Sequence, residues 1–192
     1  MNDEREAYEN LTKQNPPLFS VLIANYNNGR YLQECFASIF TQSYQNWEIV
    51  VVDDASKDHS HEIYEQYKND NRIRIILNSR NMGCGFSKRR CVENAYGEIC
   101  GFVDADDALT TDAIETMVRY HFDYPQHSII YSTHYNCDEQ MKPENIAENV
   151  GQIPHDTKSW SFTNLMISHF ATFKRELYHQ TSGISSWLPK AV

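Results

Sequence analysis

Trp47-Glu48-Ile49-Val50-Val51-Val52-Asp53-Asp54 is the stretch from which the fold is read. One isoleucine and three valines follow one another without polar alternation, the pattern of a strand covered on both faces. The run then stops on two aspartates. Upstream, Phe19-Ser20-Val21-Leu22-Ile23-Ala24 has the same character, and Asn27-Asn28-Gly29 makes a turn after it. Between the two runs, Tyr31, Leu32, Cys35, Phe36, Ile39 and Phe40 recur with a period near 3.6 and form one apolar helical face. Downstream, the pattern predicts a helix over roughly 58–69, a strand from Ile73 to Leu77, a helix over 85–96 and a strand from Ile99 to Val103. That last strand stops at Asp104-Ala105-Asp106-Asp107, and a helix from Thr110 to about Tyr120 and a strand over Ser128 to Tyr135 follow. The polar, acidic residues 136–157 read as a loop over the sheet edge, and Ser159 to Phe173 mixes aromatics, serine and histidine without a period. This alternation predicts an α/β fold with a mainly parallel sheet and helices on both faces.

Composition narrows the chemistry. The chain has 192 residues, 41% of them hydrophobic, enough for one domain with a real core. Seventeen Lys plus Arg against 26 Asp plus Glu give a net charge of -9. Nucleic-acid binding is excluded, because phosphate neutralisation needs clustered cations. Cys35, Cys84, Cys91, Cys100 and Cys137 form no CxxC pair, and Cys35 and Cys100 lie in apolar runs, so a reduced, cytoplasmic protein is expected. Residues 1–20 show no apolar signal segment, and no run approaches the roughly 18 apolar residues of a membrane span.

In open α/β sheets ligands sit at the carboxyl ends of the strands. The unusual residues gather at those ends: Tyr26-Asn27, Asp53-Asp54, and Asp104, Asp106 and Asp107. Three carboxylates within four positions repel one another, and a hard divalent cation, Mg²⁺ or Mn²⁺, relieves the repulsion. Capping of the following helix accounts for one aspartate but hardly for three.

Five fragments in order carry a resemblance. Ser20-Val21-Leu22-Ile23-Ala24-Asn25-Tyr26-Asn27 is similar to S-V-I-I-P-x-Y-N, and Gln42-Ser43-Tyr44-Gln45-Asn46-Trp47-Glu48-Ile49 to Q-T-Y-x-x-x-E-I. Val52-Asp53-Asp54-Ala55-Ser56-Lys57-Asp58 resembles V-D-D-G-S-x-D. Asn81-Met82-Gly83 with Ala95-Tyr96-Gly97-Glu98-Ile99 resembles N-x-G…A-x-G-E-I, and Asp104-Ala105-Asp106-Asp107 resembles D-x-D-D. These are the motifs of inverting family-two glycosyltransferases of bacterial type, and they span roughly residues 19–122.

The resemblance implies the GT-A (Rossmann-like) fold, with 1–17 as a leader, 18–135 as the nucleotide-sugar-binding core and 136–192 as an acceptor-side segment. It assigns nucleotide contacts to Ala24, Tyr26, Asp54, Lys88, Asp104 and Asp106, and metal ligation to Asp106 and Asp107. Tyr26 stacks on the base, usually uracil, and Asp54 accepts from its N3–H. The cofactor implied is Mn²⁺ or Mg²⁺. The donor is a nucleotide-sugar, UDP-linked, and the acceptor a carbohydrate or a lipid-linked hydroxyl. The setting is cell-surface polysaccharide or lipopolysaccharide synthesis at the cytoplasmic face of the membrane, with peripheral association through a further C-terminal part.

Three departures stand out. Ala24 replaces the family's proline, and Ser87-Lys88-Arg89 stands where A-R-N is usual, so Lys88 takes the place of an arginine without its bidentate fork. The family's general base is an Asp, often within Glu-Asp, beyond the segment matching His169-Phe170. No Asp or Glu follows Glu176, so the base is expected beyond Val192, and His169 and His179 read as surface or core histidines. Trp160, Phe162, His169 and Phe170 suit either sugar stacking or core packing, with packing the simpler reading.

Other classes fit less well. A receiver-type phosphoacceptor would place its acidic pair after the first strand, and a dinucleotide-binding dehydrogenase would show GxGxxG there. A nucleotidyltransferase wants a glycine-rich basic loop, where Asn25 to Arg30 supplies one glycine. A nucleotide-sugar sensor without catalysis is the alternative that the residues leave open.

Overall fold

The continuous apolar runs become the centre of a six-stranded sheet. The computed structural model describes residues 15–148, 150 and 169–185. In chain order the elements are β1 (Phe19–Asn25), α1 (Gly29–Phe40), β2 (Trp47–Asp53), α2 (Ser60–Tyr67), β3 (Ile73–Leu77), α3 (Cys84–Glu93), β4 (Ile99–Phe102), α4 (Ala113–Asp123), β5 (Ile129–Ile130), β6 (Tyr135–Cys137), β7 (Pro143–Ile146), β8 (Thr172–Lys174) and α5 (Arg175–Tyr178). The sheet order is β3-β2-β1-β4-β8-β5, and β6 and β7 form a separate hairpin. β1 pairs in parallel with β2 and β4, and β2 with β3, whereas β8 runs antiparallel to β4 and β5.

Side chains alternate along β1 and β2, but both faces are buried. Phe19, Val21, Ile23, Ile49 and Val51 pack against Leu32, Phe36 and Ile39 of α1, Ile63 and Tyr64 of α2, and Ile114, Met117 and Val118 of α4. Leu22, Val50, Val52 and Cys100 point the other way, against Cys91 and Val92 of α3 and Ala95 beyond it. This two-sided burial is why the strands carry no polar alternation. Burial above all pushes the Cys35, Cys91 and Cys100 thiols up to about 12, so all three act as small hydrophobes.

The expected strand over 128–135 is a correction. Its partner β8 offers only Thr172 and Phe173 to Ile130 and Ile129, because the chain turns at Phe170, whose φ is 47°. The ladder therefore ends at Ile130, and the predicted loop beyond it contains the β6–β7 hairpin. The helix expected from Thr110 begins at Ala113 and has no side-chain cap at Asp112. Instead, buried Gln42 takes the Ile114 N–H on Oε1 at 2.9 Å and gives its own Nε2–H to Thr110 O at 2.7 Å.

His121 ties α4 to the inserted strand. Its Nε2 lies 3.0 Å from Thr172 Oγ1, which itself donates to Ile130 O at 2.9 Å. The threonine proton is thus spent, so Nε2 is the donor and Nδ1 is left as a buried nitrogen without a partner. Burial foremost, then Lys174, brings the His121 pKa from 6.5 down to about 4. Because the folded pKa lies below the unfolded one, the unfolded chain takes up its proton first. Stability is complete above about pH 6.5 and is lost as pH falls towards 4, by about 3 kcal/mol. His121→Gln, which keeps a donor and does not titrate, should flatten that acid limb in urea unfolding. An identical pH slope in both proteins would refute the assignment.

Candidate active site

Two backbone bonds align the strand ends around β1. Asp54 N donates to Asn25 O at 2.8 Å, and Val103 N donates to Leu22 O at 3.0 Å. Chain winding reverses across the β1–β4 pair, since β2 and β3 lie on one side of β1 and β4 on the other. The crevice above such a switch point is where open α/β sheets take ligands. Ala24, paired with Val52, is the penultimate residue of β1 beneath it, and Tyr26 follows the strand with 45% of its surface exposed, its ring free to stack.

The adjacent aspartates of β2 divide their work. Asp53 is fully buried and accepts from Ser56 N at 2.7 Å, Asn25 Nδ2 at 3.0 Å and Tyr64 Oη at 2.8 Å. It fixes the turn after the strand. Asp54, 3% exposed, reaches the other way. Its Oδ1 accepts from Asn78 Nδ2 at 2.7 Å and Met82 N at 2.8 Å, and its Oδ2 from Gly83 N at 2.8 Å. It therefore holds the 82–83 loop at the mouth of the crevice, where Gly83 adopts φ 91°.

The turn after them carries a strained residue. Ala55 has φ 64°, in the left-handed region where the family pattern carries glycine. A Cβ in that conformation costs about 1–2 kcal/mol, against a smaller entropic penalty for glycine in the unfolded chain. Ala55→Gly should therefore stabilise the fold by about 1 kcal/mol in chemical denaturation. A destabilised variant would show that the turn is relaxed around alanine.

Across β1, the loop after β4 presents the acidic cluster. Neither Asp106 nor Asp107 caps α4, which removes the helix-capping explanation. Asp104 Oδ1 pairs with Lys88 Nζ at 3.0 Å, and Asp107 Oδ2 with His169 Nδ1 at 2.8 Å. Burial works against the Lys88 ammonium, but Asp104, together with Cys84 and Cys91, more than offsets it and the pKa rises. The hydrogen bond to Asp107 raises that of His169. Ligand atoms of Asp104, Asp107 and His169 all lie within 4.8 Å of one another, a set of two hard carboxylates and one imidazole that suits Mn²⁺. Of the two residues expected to ligate metal, Asp107 is in this group, while Asp106 is exposed on the same turn outside it.

His169, which the sequence marks as a surface or core histidine, joins the acidic cluster. It stands on Asp107, 62 positions away, and only the fold brings them together. Its neighbour Phe170 is 6% exposed and packs on Phe19 at 5.9 Å, so here the packing reading holds. Trp160 and Phe162 lie outside the described residues. Among the described residues no helix is long and apolar enough to cross a membrane.

The doubly wound sheet with acidic residues after its fourth strand is the fold of GT-A glycosyltransferases, as solved structures show. The mannosyltransferase PcManGT of Pyrobaculum calidifontis, solved with GDP-Man and Mn²⁺, superposes with a TM-score of 0.66 at 19% identity over 97% of this chain and 56% of that one. TarS 1-349 of S. aureus, solved with UDP-GlcNAc, gives 0.64 at 22% identity over 84% of this chain and 46% of that one. The model of glycosyl transferase family 2 matches residues 20–181, and the chain belongs to that family. Glycosyltransferase GlyG of Streptococcus pneumoniae serotype 4 is 37% identical over 123 residues, 64% of this chain and 40% of GlyG. Chondroitin synthase of Escherichia coli is 27% identical over 190 residues, 98% of this chain and 27% of the synthase. The chain thus spans less than half the length of these relatives.

Proposed function

We propose that the chain binds a UDP-linked sugar with the help of a divalent cation and serves its inverting transfer to a hydroxyl of a carbohydrate or lipid-linked acceptor in polysaccharide synthesis. The observation that carries this is the convergence of Tyr26, Asp54 and the Asp104–Asp107 turn on one switch-point crevice, with His169 brought in from the far end of the chain. The solved complexes of PcManGT and TarS with nucleotide-sugars, and the polymer made by chondroitin synthase, support the substrate class.

In this reading the exposed ring of Tyr26 stacks on the base, and Asp54 reads its N3–H while holding the 82–83 loop. Asp104 faces the ribose, and Lys88 beside it places a cation by the diphosphate. Asp104, Asp106, Asp107 and His169 supply the ligands from which a cation is held. When bound, the cation stabilises the charge that develops on the leaving diphosphate. The bond from the anomeric carbon to the phosphate oxygen breaks as the acceptor oxygen bonds from the opposite face, and the acceptor proton passes to a general base.

A thermal-shift panel of nucleotides and nucleotide-sugars, with and without Mn²⁺, tests the reading. UDP compounds with Mn²⁺ should give the largest shift, since ligand binding stabilises by RT ln(1 + [L]/Kd). A flat panel would overturn it. Asp54→Ala should then cost about 1.5–3 kcal/mol of UDP affinity in calorimetry, the range for a hydrogen bond to a charged group. Unchanged affinity would make Asp54 a loop clamp alone.

A further inference from the structure

Beside the cluster stands a second imidazole that the proposed reaction does not use. His134 lies between β5 and β6, at the foot of the hairpin. Its carbonyl accepts from Ala147 N at 2.9 Å, and Thr133 Oγ1 donates to Ala147 O at 3.2 Å. The ring meets that of His169 with centroids 4.6 Å apart and planes at 76°. Its Nδ1 is buried with no hydrogen-bond partner among the described residues.

His169 needs such a neighbour. Its side chain is 44% exposed, and a half-exposed imidazole has several rotamers open to it. Asp107 restrains it at one atom, Nδ1, about which the ring can still turn. A second ring at this separation and angle lies within the attractive edge-to-face range and fixes the plane as well. Residues that orient a metal-binding histidine commonly govern metal affinity as strongly as weaker ligands do.

We propose that His134 is the positioning residue for His169, holding its ring so that Nδ1 faces the carboxylates of Asp104 and Asp107 and the cation they would hold. The inference rests on the cation site of the proposed function. It makes the β6–β7 hairpin part of the donor site, because the Ala147 bond sets where His134 stands.

The test compares His134→Leu with His134→Phe in the full chain: both fill the space, and only Phe keeps a ring against His169. Mn²⁺ is titrated by calorimetry, and its coordination is followed by electron paramagnetic resonance through the coupling to imidazole nitrogen. His134→Leu should bind Mn²⁺ about tenfold more weakly and lose nitrogen coupling. His134→Phe should keep most of both, with the two variants melting alike. Wild-type affinity in His134→Leu would overturn the proposal while leaving the cation site standing. So would a His134→Phe variant as weak as His134→Leu, which would assign the effect to the His134 nitrogens. A wild-type chain that binds no Mn²⁺ would overturn the cation site and this proposal together.

Discussion

UDP should bind this chain more tightly with Mn²⁺ than with excess chelator by a factor of about 5–150, the usual span of coupling between two ligands. The cause is electrostatic. Asp104 and Asp107 face the crevice with Lys88 and His169 as their only ion-pair partners among the described residues, and a diphosphate adds more negative charge. Without a cation the anionic ligand and the anionic site repel each other; with one they share it. Reciprocity supplies an internal check, since UDP must tighten Mn²⁺ binding by the same factor. Asp107→Asn should remove most of the increment, because it strips charge from the cluster and weakens the hold on His169. Asp106→Asn should remove it too if the exposed carboxylate swings onto the cation. Equal UDP affinity in Mn²⁺ and in chelator, measured calorimetrically, would end the metal assignment.

The second large effect falls on stability, one residue away from Asp54. Asp53→Ala leaves the Ser56 N–H and the Tyr64 hydroxyl without their acceptor in a fully buried place, while the Asn25 amide keeps the Ser60 and Tyr64 oxygens. Each unsatisfied buried donor costs about 1–3 kcal/mol, and water entering the space recovers part of it, so a loss of about 2–4 kcal/mol is expected in urea unfolding. Asp54→Ala should cost less in stability, since its loop lies nearer the surface. A loss below about 1 kcal/mol for Asp53→Ala would mean that the turn is held by other contacts.

The contrast between these neighbours shows how far the sequence could be read. That acidic residues end β2 and β4 followed from where the apolar runs stop, and dry burial on both sheet faces made those runs unmistakable. Which aspartate of the pair holds the turn and which clamps the 82–83 loop depends on partners far along the chain, among them Asn25, Tyr64 and Asn78, and leaves no periodic trace. β8 was invisible for a different reason. Three residues, Thr172-Phe173-Lys174, become a strand only because β4 and β5 flank them, and no local propensity marks so short a segment. The place of His169 beside Asp107 was illegible likewise, since only the fold brings the two together. The helix start at Ala113 was missed because its cap comes from Gln42, far upstream, and not from the residues beside it.

The insertion of β8 between β4 and β5 has a consequence for how the molecule is made. On the ribosome, β1 to β4 can assemble as soon as they emerge, with short βα connections and local crossovers. β4 must then wait while some seventy further residues are synthesised, about 4–14 s at roughly 5–20 residues per second. During that interval its outer edge is an open row of backbone donors and acceptors, the template on which another nascent chain can pair. Ile99, Cys100 and Gly101, which β8 later covers, carry no charge to deter it. Slow translation between codons 103 and 171 would lengthen the exposure, and faster passage through that stretch should raise the soluble yield.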